Sequence, residues 1–173
     1  MNPITLFAKK FSQKARKKRA TIFRDSFSLD ENTKILDLGG GGANINMVLQ
    51  GTPVKHENVW IADLSQSLIE KGENEYGFVP VLINESDQLP FEDDFFDIVY
   101  CSSVIEHVTV PKEQVWSLYS DKVFKEKSFV RQQVFANEIR RLGKYYFVQT
   151  PYKYFPIESH TWLPFIALLP RWV

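Results

Sequence analysis

Four consecutive glycines, Gly39 to Gly42, sit directly after the apolar run Lys34-Ile35-Leu36-Asp37-Leu38 and directly before Ala43-Asn44-Ile45-Asn46-Met47-Val48-Leu49-Gln50. The order reads as strand, loop, helix, with an acid delivered to the strand's end. Glycine tolerates positive φ and lets a ligand approach the backbone closely, while the first turn of a helix offers unpaired N–H groups and the positive end of its dipole. The stretch therefore suits an anionic or carboxylate-bearing ligand. A tight turn with no ligand would need no such run, because every glycine loses backbone entropy on folding.

The spacing narrows the ligand. A dinucleotide fingerprint, G-x-G-x-x-G, requires a third glycine three positions after the second. Asn44 or Ile45 stands there in the two available registers. A nicotinamide-dependent oxidoreductase is thus a distant reading. The pattern that fits is acid-x-Gly-x-Gly-x-small, carried by Asp37, Gly39, Gly41 and Ala43. Here the chain resembles the class I S-adenosylmethionine (SAM) dependent methyltransferases, with Ala43 in place of the usual third glycine. The resemblance implies SAM as cofactor, with Gly39, Gly40 and Gly41 under its methionine part and Asp37 helping to hold the amino group.

A second strand, residues 58–63, ends in Asp63, about 20 residues beyond the loop, where a ribose-binding carboxylate belongs. A carboxylate accepts hydrogen bonds from both vicinal hydroxyls of a ribose. Asp63 also reads as an N-cap for the helix beginning at Ser65, and Leu64 falls beside it in the cofactor-binding set. A third strand, 78–83, contains Pro80, which suggests an edge or early position. The following Asn84-Glu85-Ser86-Asp87 is similar to the family's acid-small-acid turn. That likeness implies that Glu85 accepts from the adenine amino group and that Ser86 offers its backbone N–H to the ring. An acidic surface loop is the plainer reading. A Leu89-Pro90-Phe91 turn and the Phe96-Asp97-Ile98 start of a fourth strand complete the likeness.

The fourth strand, about 97–101, opens into Ser102-Ser103-Val104-Ile105-Glu106-His107. By resemblance this segment closes over the methionine end, with Ser102 lining the pocket. His107 is a candidate base, because imidazole titrates near neutral pH. Glu106 and His160 are optional alternatives. A lone histidine at a helix start is more often structural, held by hydrogen bonds.

Residues 3–28 place Phe7, Phe11, Phe23 and Phe27 at helical spacing among bases, which reads as one or two amphipathic helices. Eight bases precede the first acid, Asp25, and leave 13 bases against 21 acids in the rest. This positive arm reads as a solvated helix face. Phosphate of nucleic acid or of an anionic membrane is the other partner such an arm would take. Residues 65–72 form a further helix, 111–127 a variable loop and short helix, and 129–142 a helix stopped by Gly143. Residues 145–149 make the fifth strand, and 152–173 an aromatic, proline-punctuated tail similar to type 11 methyltransferases.

The expectation is one α/β domain over 1–173: a Rossmann-like, mostly parallel sheet of about five strands with helices on both faces. The family's final antiparallel hairpin is missing from the pattern, which exposes the edge of strand five. A homo-oligomer through that edge or through the tail is one outcome; a short and inactive chain is another. One cysteine and three histidines make neither a disulfide nor a metal cluster, so no metal is expected. No stretch reads as a signal peptide or bilayer span, which makes a cytoplasmic protein the default. The expected activity is methyl transfer to a small-molecule, glycan or lipid-precursor acceptor. RNA or protein methylation using the basic arm, and a non-catalytic SAM-fold interaction protein, are the alternatives.

Overall fold

A computed structural model describes residues 3–84, 88–111 and 120–150. Helix α1 (Pro3–Ser26) leads into strand β1 (Ile35–Leu38), followed by α2 (Ala43–Leu49), β2 (Val59–Asp63), α3 (Gln66–Tyr76) and β3 (Val79–Leu82). Strand β4 (Phe96–Ser102) comes next, with a single 3₁₀ turn at Ile105–His107, and then α4 (Asp121–Leu142) and β5 (Gly143–Gln149). The strands form one sheet in the order β3-β2-β1-β4-β5, and every pairing is parallel. The chain goes outward from β1 to β3, then returns to the other side of β1 with β4. This reversal sets the switch point of an open α/β sheet between β1 and β4.

Alternation along the strands sends side chains to two cores. Ile35, Ile61, Ile98 and Tyr100 pack with Ala20 and Phe23 of α1, Ile45 and Val48 of α2, and Ile69 of α3. Leu36, Leu38, Val99 and Cys101 pack on the opposite face with Ile139 and Leu142 of α4. All four residues of β1 are buried, as the central position requires. Pro80 lies on β3, an edge strand, where its missing N–H leaves no ladder bond unmade. Asp97 pins the amino ends of β1 and β4: its carboxylate accepts the Lys34 N–H at 2.9 Å and the Lys144 ammonium at 2.8 Å. Burial works against that charge, but these donors outweigh it and hold the carboxyl below its ordinary value.

The amphipathic N-terminal stretch, expected as one or two helices, is one helix of 24 residues. Several other elements differ from expectation. Helix α3 continues past Gly72 to Tyr76, because Gly72 packs inside the helix against Ile61, and Gly77, in the left-handed region at φ 72°, ends it. Residues 121–127 are not a loop or separate short helix but the first turns of α4. Gly143 does not end α4 through a left-handed cap either; its φ is −134°, and the helix passes straight into β5. The glycine is needed for space. An added Cβ there lies 2.7 Å from Val99 Cγ2 and 2.9 Å from the Tyr145 carbonyl oxygen. Gly143→Ala is expected to destabilise the protein by about 1–3 kcal/mol, since a backbone oxygen does not yield as a side-chain end would. Urea unfolding measures it, and an unchanged midpoint contradicts the packing account.

Within the described residues the sheet has no antiparallel strand, and β5 is an edge with Tyr145, Tyr146 and Val148 exposed. The tail 152–173, including His160, and the turn holding Glu85 and Ser86 lie outside the described residues. No helix among the described residues is long and apolar enough to cross a membrane.

Candidate functional site

The glycine loop bends twice through positive φ, at Gly39 (74°) and again at Gly41 and Gly42 (61° and 85°). Gly40 has no such φ. It is required because a Cβ on it would overlap the carboxylate of Asp37. The loop thus wraps its own acid: Gly42 N–H donates to Asp37 Oδ2 at 2.9 Å. The sequence reading left these loop N–H groups open to a ligand, whereas one of them serves Asp37. Asp37 Oδ1 is buried and has no hydrogen-bond partner. Burial pushes this carboxyl up to about 7; the Gly42 bond lowers it and the charge of Asp63 raises it again.

A cavity of about 450 Å³ opens at the carboxyl ends of the strands. Gly39, Asp63, Leu64 and His107 all line it, so four of the residues singled out in the sequence meet there. Asp63 Oδ1 accepts the Ser65 N–H at 2.9 Å, tying the end of β2 to the start of α3. The opposite wall is Arg131, Val134, Phe135 and Glu138 of α4. Asp37, Gly40 and Gly41 do not line the cavity; they shape and underlie the loop that does.

Ser102 corrects the expectation. It shares the strand face of Tyr100, turned toward α1 and away from the cavity, and its hydroxyl donates to Gln149 Oε1 at 2.9 Å. Ser103 takes the position on the cavity wall instead. Its φ of 60° is rare for a residue with a side chain, and its N–H donates to the Gln149 carbonyl at 2.7 Å, which holds the turn. Glu106 is also off the cavity lining. Both of its carboxylate oxygens are buried with no hydrogen-bond partner. Cys101 is buried and its thiol is pushed up to about 12, by burial first and then by the charges of Asp37 and Glu106, so it does not ionise near neutrality.

Sequence reasoning missed Glu138, Arg19 and Gln149. Glu138 accepts the Leu89 N–H at 2.7 Å and is bridged by Arg141, whose guanidinium also bonds the Phe91 carbonyl and Asp93 at 2.8 Å. Arg141 holds the Glu138 carboxyl below its ordinary value. These bonds fasten the 89–93 turn to α4 at the cavity's rim. The signal was available, since Phe135, Glu138, Ile139 and Leu142 share one helical face. Arg19 donates to Gln149 Oε1, the same oxygen that takes Ser102.

The model of the family described as "Methyltransferase domain" matches residues 36–120, from β1 through the cavity-lining segment after β4. Residues 36–120 belong to the type 11 class I methyltransferases. SAM is the cofactor of this methyltransferase family. The chain is 26% identical over 95 residues to the ubiquinone/menaquinone biosynthesis C-methyltransferase UbiE of Neisseria gonorrhoeae, covering 53% of this chain and 39% of that one. It is 28% identical over 108 residues to UbiE of Vibrio vulnificus, covering 59% and 41%. The match thus spans about two fifths of these relatives' length. Among solved structures, the PH0226 protein of Pyrococcus horikoshii superposes with a TM-score of 0.53 at 18% identity, over 77% of this chain and 50% of that one. That likeness bears out the methyltransferase fold.

Proposed function

We propose that this protein transfers the methyl group of SAM to a small-molecule acceptor, in the class of a lipid precursor. The observation that carries the reading is the shared cavity. Its lining holds Gly39 and Asp63 on one side and Val108, Val134 and Phe135, with Arg131 and Glu138, on the other. Concave sites of a few hundred Å³ suit small ligands rather than polymers. The UbiE relatives act in ubiquinone/menaquinone biosynthesis by their names, which favours a lipid precursor over a glycan.

The residues present fit SAM. Asp37 Oδ1 is an orphaned buried oxygen beside the loop, suited to a cation. Asp63 would accept the ribose hydroxyls through the oxygen that Ser65 does not use. When bound, SAM supplies a methyl carbon made electrophilic by the adjoining sulfonium. The protein's part is then to align the acceptor and exclude water, with α4 and the segment 108–111 forming the enclosure. His107, on the cavity wall, would take a proton at a ring nitrogen where the acceptor must lose one.

The test is incubation of the purified protein with methyl-labelled SAM and cell extract, followed by separation of lipid-soluble, RNA and polypeptide fractions. Label in the lipid-soluble fraction is the expected result. Label in RNA or polypeptide would transfer the assignment to a polymer substrate, and absence of both turnover and SAM binding would leave a non-catalytic protein of this fold.

A further inference from the structure

Helix α1 is anchored through its last turns. Ala20 and Phe23 are buried against the sheet. Arg19 bonds the Gln149 side chain at the carboxyl end of β5, and Arg24 bonds the carbonyls of Val48 and Gln50 at the end of α2. The helix therefore runs opposite to the strands, and about 24 Å of it, Pro3 to Lys18, precedes the contact with Gln149. That length passes the edge at which the cavity opens. From Gln13 to Lys18 each residue is exposed, a run longer than one turn, so no side of the helix is covered there.

This stretch is basic and holds no acid: Lys14, Arg16, Lys17 and Lys18 are exposed, and the first acid of the chain is Asp25. The helix also carries apolar residues away from the sheet. Ile22 is 45% exposed while its neighbours Ala20 and Phe23 are buried, so it lies on the side turned from the strands. Ala15 stands two turns before Ile22, and in the sequence Ile4, Phe7 and Phe11 continue the same helical spacing. Lys14 and Lys18 border that stripe. An apolar stripe edged with bases, on a helix of low overall hydrophobicity, is the pattern that seats at the headgroup boundary of an anionic membrane. The phosphates of a nucleic acid would pair with the bases and leave the stripe in water. Exposed acids lie at the far end of the domain: Asp30, Glu31, Glu92, Asp93 and Asp94 precede β1 and β4, at the amino ends of the strands.

We propose that α1 lies flat on an anionic bilayer, with the stripe through Ala15 and Ile22 seated at the headgroup boundary and the lysines on lipid phosphates. The helix passes the edge at which the cavity opens, so a membrane beneath it runs past the mouth. Docking stands on α1 alone, which lies outside the stretch matched by the family model. That docking brings a lipid-precursor acceptor to the cavity rests on the acceptor reading above. Each base near the surface adds to the attraction, which salt screens within a Debye length.

Co-sedimentation of the full chain with vesicles tests the docking. One set is phosphatidylcholine alone, and the other contains phosphatidylglycerol as a third of its lipid. Binding to the anionic set, little to the neutral set, and a steep loss with added salt are expected. Combining Lys14→Gln, Lys17→Gln and Lys18→Gln is expected to lower the partition coefficient about 100-fold, while arginine at the same three positions keeps it. Ile22→Ser alone is expected to lower it roughly threefold to tenfold. These positions are exposed, so the urea midpoint should not move. Equal binding to both vesicle sets, or binding unchanged in the triple glutamine variant, overturns the proposal. So does binding of single-stranded RNA without binding of vesicles, which would assign the helix to nucleic acid. Vesicle binding without methyl transfer into the lipid-soluble fraction overturns the acceptor reading and upholds the docking; transfer without vesicle binding does the reverse.

Discussion

Asp63→Ala is expected to raise the dissociation constant for SAM by about 100-fold or more. A carboxylate that takes both ribose hydroxyls makes two charge-assisted hydrogen bonds, each worth about 1.5–3 kcal/mol. Removing it leaves the sugar without acceptors inside a cavity that has displaced water. The substitution also removes the acceptor of the Ser65 N–H, held at 2.9 Å, so α3 loses the bond at its start and the fold weakens by about 1 kcal/mol. Asp63→Asn separates the two effects. Its amide oxygen still takes the Ser65 N–H, so stability should return to near wild type while affinity stays reduced. Calorimetry and urea unfolding on both variants make the comparison, and unchanged SAM affinity in Asp63→Ala refutes ribose binding at this position.

The second large effect concerns Asp37, and it has opposite signs for the free and the bound protein. Burial holds its carboxyl up to about 7, far above the ordinary 3.8. The folded state therefore keeps the proton to higher pH than the unfolded chain does. This group takes nothing from stability below about pH 4. Its penalty grows as pH rises toward 7 and then levels off, on the order of 4 kcal/mol at most. Asp37→Asn keeps an acceptor for Gly42 and removes the charge, so the ligand-free variant should be more stable than wild type by about 1–3 kcal/mol at pH 8 and nearly equal at pH 4. A cationic ligand reverses the preference, since it favours the ionised carboxylate. Binding of SAM should release a proton near neutrality, and its affinity should rise by up to about tenfold between pH 6 and 8 in wild type only. Titrations in buffers of different ionisation enthalpy count that proton. A pH-independent affinity in wild type, or a variant no more stable at pH 8, contradicts this account of the buried acid.

The architecture was legible because its signals are local. Ile35–Leu38, Val59–Asp63 and the run beginning at Phe96 are apolar stretches of strand length between turn residues, and Pro80 marks an edge whatever surrounds it. Asp63 and Gly39 were found for the same reason: each stands at the end of a strand, and parallel strands bring their ends together. What escaped depends on direction and distance. Ser102 and Ser103 are neighbours of one type, and only the strand's parity and the positive φ of Ser103 decide that the second lines the cavity. Gly143 does stop α4, as its sequence position suggests, but the crowding by Val99 that requires a glycine there is not visible in the sequence. Arg19 and Gln149 lie 130 residues apart, and nothing in either neighbourhood announces that they meet.

The junction without a loop between α4 and β5 bears on which acceptors the cavity can take. A helix that runs directly into a strand, with Gly143 wedged against Val99, has no slack at that end and follows the sheet as a rigid body. The wall made by Val134, Phe135 and Glu138 is in addition riveted to the 89–93 turn through Arg141. A bulkier guest must then find its room on the other bank, among Val108, Thr109 and Pro111, which follow the 3₁₀ turn at Ile105–His107. Breadth of acceptor choice would be altered by rewriting that short segment, and discrimination between guests of equal size by rewriting the helix.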